Sequence, residues 1–182
     1  MQNIFKDTFF IKGVLNLKKA PVDDGFEFVL AGRSNAGKSS ALNCLTKNKK
    51  LARTGKTPGR TTEINFFRVN DEIKLVDLPG YGFSKMSVDR KKNLNILLDK
   101  YFSTRKSLCA AIIFMDIRHP LKDSDIQMME FCKKYDVPFI SVLTKSDKLN
   151  SSAISKSARD VEEKLDSLSV IVTSAKNDDG FD

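Results

Sequence analysis

The sequence predicts an α/β fold of three layers, with a mostly parallel six-stranded sheet, one antiparallel edge strand and helices on both faces. Two observations lead to this prediction. Apolar, strand-like segments alternate along the chain with longer segments of helical spacing, which is the order of a doubly wound sheet. Several strand segments are continuously apolar, as expected where helices cover both faces of a strand.

The predicted elements begin at residue 26, and residues 1–25 are interpreted as an N-terminal lead-in. Apolar runs predict six strands: Phe26–Ala31, Ile64–Val69, Ile73–Asp77, Ala110–Asp116, Pro138–Thr144 and Val170–Thr173. Amphipathic spacing predicts four helices: Lys38–Thr46, Val88–Thr104, Asp123–Tyr135 and Ser152–Leu168. Because no repeat or linker divides the chain, its 182 residues are expected to form one domain.

The composition narrows the class of protein. No run approaches the roughly 18 apolar residues of a membrane helix, and lysines interrupt the N-terminal apolar residues, so we expect a cytoplasmic protein with no membrane span. Three cysteines without C-x-x-C spacing are interpreted as reduced structural thiols. The net charge of +8 arises within residues 1–60, which hold 12 basic and 4 acidic residues. Such an excess is compatible with contact to RNA or to phosphate, or with a solvated face.

The loop after the first predicted strand reads GRSNAGKSS and matches the pattern G-x-x-x-x-G-K-[ST]. Two glycines let backbone N–H groups surround an anion at the start of the following helix. The lysine supplies a mobile cation for β- and γ-phosphates, and the hydroxyl that follows it can ligate Mg²⁺. A P-loop NTPase fold is therefore predicted, with these nucleotide-binding residues: Gly32, Arg33, Ser34, Asn35, Ala36, Gly37, Lys38, Ser39 and Ser40.

A second motif, DLPG, follows the third predicted strand, about forty residues after the P-loop. The carboxylate of Asp77 is predicted to hold magnesium-bound water, and the N–H of Gly80 to sense a γ-phosphate. Leu78 and Pro79 lie between them and are assigned to the same nucleotide-binding segment. The segment YGFSKM comes next and has the irregular pattern of a region that changes order with the nucleotide.

A polar, glycine-rich loop, TGKTPGRTTEINFF, connects the P-loop helix to the second predicted strand. A threonine here could bind magnesium through its hydroxyl and the γ-phosphate through its N–H. Spacing does not choose between the two candidate threonines, and both could instead simply begin a strand. The predicted nucleotide-binding residues of this loop are Gly59, Arg60, Thr61, Thr62 and Glu63.

Two further loops predict a purine site that selects guanine. TKSD follows the fifth predicted strand, where Asp147 could accept hydrogen bonds from the guanine N1–H and amino group while the stem of Lys145 covers the ring. TSAK follows the last strand, where the Ala175 N–H could meet the guanine carbonyl. The assigned residues are Thr144, Lys145, Ser146 and Asp147 in the first loop, with Thr173, Ser174 and Ala175 in the second.

Together GRSNAGKSS, TPGRTTEINFF, DLPGYGF, TKSDK and the turn DIRHP resemble the EngB family, within the class of P-loop GTPases that includes Era and the septins. The resemblance runs from about Phe9 to the end of the chain. It implies binding of GTP, GDP and Mg²⁺ and a role in late assembly of the large ribosomal subunit, with contacts to rRNA and ribosomal proteins. It also implies a role in normal cell division and septation, and we expect a monomer.

The resemblance selects Thr61 as the magnesium-binding threonine. The implied magnesium ligands are therefore Ser39, Thr61 and Asp77, and the residues implied in hydrolysis are Lys38, Thr61 and Gly80. Two features depart from the family pattern. Thr62 stands where many members have glutamine, and the chain ends at Asp182 where members usually continue with another helix, so we expect a longer natural chain.

Slow intrinsic GTP hydrolysis is predicted, because Tyr81 occupies the position where Ras-type GTPases carry a water-orienting glutamine. Asn35 resembles an asparagine that coordinates K⁺ in related GTPases; the alternative is that it only shapes the loop. His119 lies in a turn beside Pro120 and is assigned no catalytic role.

Two other functions stay open at this point. One is an RNA- or ribosome-binding module for which guanine nucleotide is mainly a structural ligand. The other is an ATP-using relative, which requires Asp147 to face away from the base.

Overall fold

One sheet organises the residues that a computed structural model describes, which are 3–52, 63–81, 87–165 and 170–181. Its seven strands are β1 (Phe9–Val14), β2 (Phe26–Gly32), β3 (Ile64–Arg68), β4 (Ile73–Asp77), β5 (Leu108–Asp116), β6 (Phe139–Thr144) and β7 (Val170–Val172). The α-helices within these ranges are α1 (Lys38–Leu45), α2 (Val88–Thr104), α3 (Asp123–Lys134) and α4 (Ser151–Leu165). The spatial order of the strands is β1-β3-β4-β2-β5-β6-β7.

The predicted fold class is confirmed, since β4, β2, β5, β6 and β7 are parallel and helices pack around the sheet. All six predicted strands form, and none of their ends is shifted by more than two residues. The sheet gains a seventh strand, β1, from the segment interpreted as a lead-in. The predicted end of the last helix, Leu168, lies outside the described residues.

Alternate residues of the central strands enter two separate hydrophobic clusters. Val29 and Ala31 of β2 join the cluster that includes residues of α2, α3 and α4. Leu30, between them, joins the cluster on the other face with Leu42 of α1. Because successive strand side chains point to opposite faces, this division places helices on both sides of the sheet.

Strand β1 forms the antiparallel edge of the sheet by pairing with β3. The rings of Phe10 and Phe67 meet edge to face with centroids 5.5 Å apart. Gly13 lies beside the ends of the Glu63 and Asn65 side chains, whose oxygens are 2.7 Å from the position of a β-carbon there. Pairing with β3, rather than alternation within the segment itself, stabilises this strand.

A buried ion pair lies near the beginning of β2, at the opposite end of this strand from the P-loop. The carboxylate of Glu27 is fully buried and accepts a 2.5 Å hydrogen bond from Arg105, at the end of α2. The hydroxyl of Tyr101 donates a second bond to Glu27, with an O–O distance of 2.7 Å. The guanidinium also lies 5.6 Å from the centre of the Phe66 ring. These contacts satisfy both buried charges and join α2 to the central strand.

None of the helices in the described part of the chain combines the length and the apolar character of a bilayer-spanning helix.

Candidate functional site

The loop between β2 and α1 has a backbone that requires glycine at two positions. Gly37, the residue before α1, has a φ of +94°, and a β-carbon there would lie 3.0 Å from Oγ1 of Thr144. A β-carbon on Gly32 would lie 2.9 Å from the Phe114 carbonyl oxygen. The loop therefore sits directly against β5 and β6, and its position depends on these two glycines.

The beginning of α1 has the features of an anion site. The helix starts at Lys38, has no acidic residue in its first turn and is preceded by a residue without a capping side chain. Its first backbone N–H groups therefore remain available to a ligand, and the helix dipole favours negative charge there. Ser39 is half-buried in this first turn, whereas Ser40 and the loop residue Asn35 are exposed.

Lys38 lies at the centre of the site and is 8% exposed. Its ammonium group donates a short hydrogen bond to the carboxylate of Asp77, at the end of β4, and a 2.9 Å bond to the carbonyl oxygen of Leu78. The structure thus brings together the two predicted phosphate- and magnesium-binding side chains. Because the two opposite charges compensate each other, both the lysine and the carboxylate can lie in a buried location.

The DLPG segment is joined to the P-loop by backbone hydrogen bonds. The Tyr81 N–H donates to the Gly32 carbonyl, and the Ser34 N–H donates to the Tyr81 carbonyl, both at 3.3 Å. Gly80 packs so closely on the loop that a β-carbon there would lie 3.0 Å from Oγ of Ser34. The Ser34 hydroxyl is buried and has no hydrogen-bond partner in the described structure. A group entering between these segments would contact both of them.

Four of the predicted nucleotide-binding residues, Gly59 to Thr62, lie outside the described residues, as does the segment 82–86. The choice between Thr61 and Thr62 therefore stays a prediction. Glu63 is described and lies beside Gly13 of β1, next to the start of β3.

Lys145 connects the predicted purine loop to the P-loop. Its backbone has a φ of +64°, and its ammonium group donates hydrogen bonds to the Asn35 carbonyl at 2.6 Å and to the Asp116 carboxylate at 2.8 Å. Burial alone would raise the pKa of Asp116, but hydrogen bonds from Arg118 and Lys145 hold it well below its usual value. Asp116 therefore stays ionised and fixes the lysine beside the P-loop.

Asp147 has a partly satisfied carboxylate. Its side chain is 7% exposed, and Oδ1 accepts a 2.9 Å hydrogen bond from the Ser174 hydroxyl. Oδ2 is buried without a hydrogen bond and lies 3.2 Å from the ammonium nitrogen of Lys148. Burial by itself raises the pKa of Asp147, but the Ser174 bond and the Lys148 charge lower it overall, which leaves an ionised acceptor.

The two predicted purine loops lie side by side. The Ser146 N–H donates to the Thr173 carbonyl at 3.1 Å, and the Thr173 N–H donates to the Leu143 carbonyl at 2.8 Å. Ser174 is fully buried and exchanges two backbone hydrogen bonds with Asp179. This pairing presents Ala175 at the surface next to Asp147.

A cavity of about 210 Å³ lies where the P-loop meets both purine loops. Predicted residues that line it are Gly37, Ser40, Thr144, Lys145, Asp147, Thr173 and Ala175. Its position at the carboxyl ends of parallel strands is the usual place for a ligand in such sheets. The volume is smaller than that of most whole-ligand pockets and suits one ring system better than a complete nucleotide.

Four lining residues were not predicted: Ala41, Lys148, Lys176 and Phe181. Ala41, Lys148 and Lys176 each directly follow a predicted residue in the sequence. Extending each predicted segment by one residue would therefore have included them. No local sequence pattern marks Phe181 as a cavity residue, because it reaches the cavity only when the chain folds back after β7.

The oxygen atoms available at this site suit an Mg²⁺ ion that is also bound by phosphate oxygens. Among the described residues no cluster of three or more histidine, cysteine or acidic side chains could hold a metal by itself. Ser39 and Asp77 instead offer one hydroxyl and one carboxylate at the phosphate end of the site. Mg²⁺ commonly binds to one or two protein oxygens together with phosphate oxygens, so these residues are suitable.

Tyr81 is not placed to orient a water molecule. Its hydroxyl is buried, and both burial and the nearby Asp125 carboxylate raise its pKa. The side chain thus lies near Asp125 of α3, and Tyr81 is not among the residues that line the cavity.

Comparison with known proteins agrees with this geometry. A family model described as a 50S ribosome-binding GTPase matches residues 27–145. A probable GTP-binding protein EngB from Stenotrophomonas maltophilia is 47% identical over 172 residues, covering 92% of this chain and 86% of that protein. The chain belongs to the EngB family of GTP-binding proteins. The EngB protein of Mannheimia succiniciproducens is 46% identical over 98% of this chain and 89% of its own.

Structural comparison supports the same EngB assignment. The crystal structure of a probable GTP-binding protein EngB superposes with a TM-score of 0.68 and 25% identity, covering 85% of this chain and 92% of that one. The resemblance stated from the motifs is therefore confirmed at the level of the family.

Proposed function

We propose that this EngB-family chain is a nucleotide-dependent switch in late assembly of the large ribosomal subunit, with slow GTP hydrolysis and a consequent role in cell division and septation. The proposed protein is a cytoplasmic, monomeric G domain. Guanine nucleotide occupies the cavity and the anion site at α1, and the partners are rRNA and ribosomal proteins of the subunit or its precursor.

The observation that carries this proposal is the Asp147 carboxylate. It is ionised and lines the cavity, and its Oδ2 atom has no hydrogen bond in the described structure. Guanine carries two adjacent N–H donors on one edge, whereas adenine offers an acceptor at the equivalent ring nitrogen. Oδ2 has the Lys148 ammonium 3.2 Å away but keeps free acceptor capacity toward the cavity. Adenine would place a second acceptor opposite this carboxylate, which is costly, so the site favours the base that supplies donors. This favours a GTP-using protein over an ATP-using relative.

The contact between DLPG and the P-loop supports the switch. Backbone hydrogen bonds already link Tyr81 to Gly32 and Ser34, and Asp77 already contacts Lys38. A γ-phosphate bound at α1 would meet the Lys38 ammonium and the Gly80 N–H together. The nucleotide state would then be transmitted directly to the segment that follows Tyr81.

Mg²⁺ would be held by Ser39 and Asp77, with Thr61 as the proposed third protein ligand. When bound, the ion neutralises phosphate charge. Lys38 orients the same phosphates, and no side chain in the described site is placed to activate water. These features support slow intrinsic turnover.

We expect large ribosomal subunits or their precursors to stimulate GTP turnover by at least about tenfold, because a partner must supply the positioning that Tyr81 cannot. Phosphate release is measured with and without purified particles, at fixed protein and Mg²⁺ concentrations. Unchanged turnover, together with salt-sensitive RNA binding that ignores the nucleotide, would instead identify an RNA-binding module with a structural nucleotide.

We also expect GTP hydrolysis to be at least about tenfold faster in K⁺ than in Na⁺, because Asn35 is proposed to place a monovalent cation near the phosphates. Asn35 is exposed at the mouth of the loop with a φ of +64°. The measurement compares the two salts for the unaltered chain and for Asn35→Asp and Asn35→Ala. Equal rates in both salts would show that Asn35 only shapes the loop.

A further inference from the structure

A second concave region lies beside the nucleotide site, between the turn 117–122 and the face of α4. It encloses about 470 Å³, and its lining includes the side chains of Arg118, Lys122, Lys156 and Lys164. Asp160 is the only carboxylate in that lining. We call this region the lysine cleft. It contains residues 117–120 of the DIRHP turn, which do not line the nucleotide cavity.

Three of the four cations are available to an external anion. Lys122, Lys156 and Lys164 are exposed, and none forms an ion pair within the described ranges. Arg118 is also exposed but donates a 2.7 Å hydrogen bond to Asp116. A concave surface with several uncompensated ammonium groups concentrates positive potential toward solvent.

The rest of the cleft does not resemble a surface that docks an apolar protein segment. Its large apolar side chains are buried or half-buried; Ile117 and Val161, for example, are at most 1% exposed. The strongly exposed apolar residues of the described structure, such as Phe9 and Val88, lie elsewhere. The cleft thus offers charge and hydrogen bonding with little accessible apolar area, which suits a phosphodiester backbone.

The cleft is connected to the nucleotide site through one carboxylate. Asp116 accepts hydrogen bonds from Arg118 on the cleft side and from Lys145 on the cavity side. Lys145 in turn donates to the Asn35 carbonyl in the P-loop. A polyanion that contacts Arg118 would therefore be linked through the single residue Asp116 to Lys145 of the predicted purine loop.

We infer that the lysine cleft binds the phosphate backbone of RNA. This inference deepens the proposed function by assigning the surface through which the protein meets RNA, and it rests on that function for the identity of the partner. The contacts are ionic and made to phosphate, so they position the protein without reading the base sequence.

The test is a triple variant, Lys122→Glu, Lys156→Glu and Lys164→Glu. Its matched control reverses three exposed lysines of α2 that form no ion pair with described residues: Lys91→Glu, Lys92→Glu and Lys100→Glu. Binding of a short fluorescein-labelled RNA hairpin is followed by anisotropy across a KCl series. We expect the cleft variant to lose affinity by on the order of 10²-fold and the slope of log K against log[salt] to fall by about 2. The α2 variant should retain most of its affinity.

Equal losses in both variants would show that net charge alone governs binding and would overturn the inference. An unchanged affinity in the cleft variant would do the same. So would a cleft variant that loses binding only to phosphatidylserine vesicles, since a membrane would then be the partner. Fluorescent GDP is titrated in parallel: we expect all variants to bind it equally, because no altered lysine contacts the nucleotide cavity. Failure of the unaltered chain to bind GDP would refute the proposed function while leaving the RNA result interpretable.

Discussion

Asp147→Asn is expected to weaken GTP binding relative to xanthosine triphosphate by on the order of 10⁴-fold. In the proposed complex the carboxylate accepts two donors from guanine, but an amide at this position presents one donor and one acceptor. Xanthine carries a carbonyl where guanine has its amino group, so it pairs with the amide. The Ser174 bond to Oδ1 holds the side chain in place, so a change of partner rather than a change of rotamer should dominate.

Calorimetric titration with GTP, xanthosine triphosphate and ATP in the presence of Mg²⁺ measures this change. Asp71→Asn is the matched control, because Asp71 lies in the turn between β3 and β4, at the opposite end of β4 from Asp77, and is 98% exposed. The control should bind GTP as the unaltered chain does. If GTP affinity survived in Asp147→Asn, or if ATP competed equally with GTP, the guanine assignment would be wrong.

Arg105→Met is expected to lower the free energy of unfolding by about 3–5 kcal/mol, because it leaves the Glu27 carboxylate buried without its cation. Glu27 is fully buried and the Arg105 side chain is 9% exposed, so solvent cannot replace the lost partner. Tyr101 would still donate one hydrogen bond to the carboxylate but could not neutralise it. Urea unfolding followed by circular dichroism measures the change.

Arg68→Met is the control for this measurement. Arg68 pairs with Asp71 at the surface, where both side chains are well exposed, and its loss should change stability little. The double variant Arg105→Met with Glu27→Leu should recover much of the stability, since it removes both buried charges. A double variant no more stable than Arg105→Met would show that packing of Arg105 on Phe66, rather than the charge, is what matters.

Local sequence predicted most of the elements of the sheet because parallel central strands are buried on both faces and must be apolar. Strand β1 shows the limit of that reasoning. FFIKGV contains Lys12 and a glycine, and only one of its six residues, Val14, is buried, so the segment lacks the apolar run of a central strand. Its conformation comes from hydrogen bonds to β3, which is 50 residues away in sequence.

The site follows the same division. The sequence predicted which residue types meet phosphate and base, because a P-loop, a D-x-x-G turn and T-K-x-D each require particular backbone and side-chain chemistry at fixed spacing. Only the tertiary structure decided that Lys145 spans Asn35 and Asp116, that Phe181 lines the cavity, and that α4 completes the lysine cleft. These contacts join residues far apart in the chain, so they depend on how strands and helices pack and leave no pattern in any single segment.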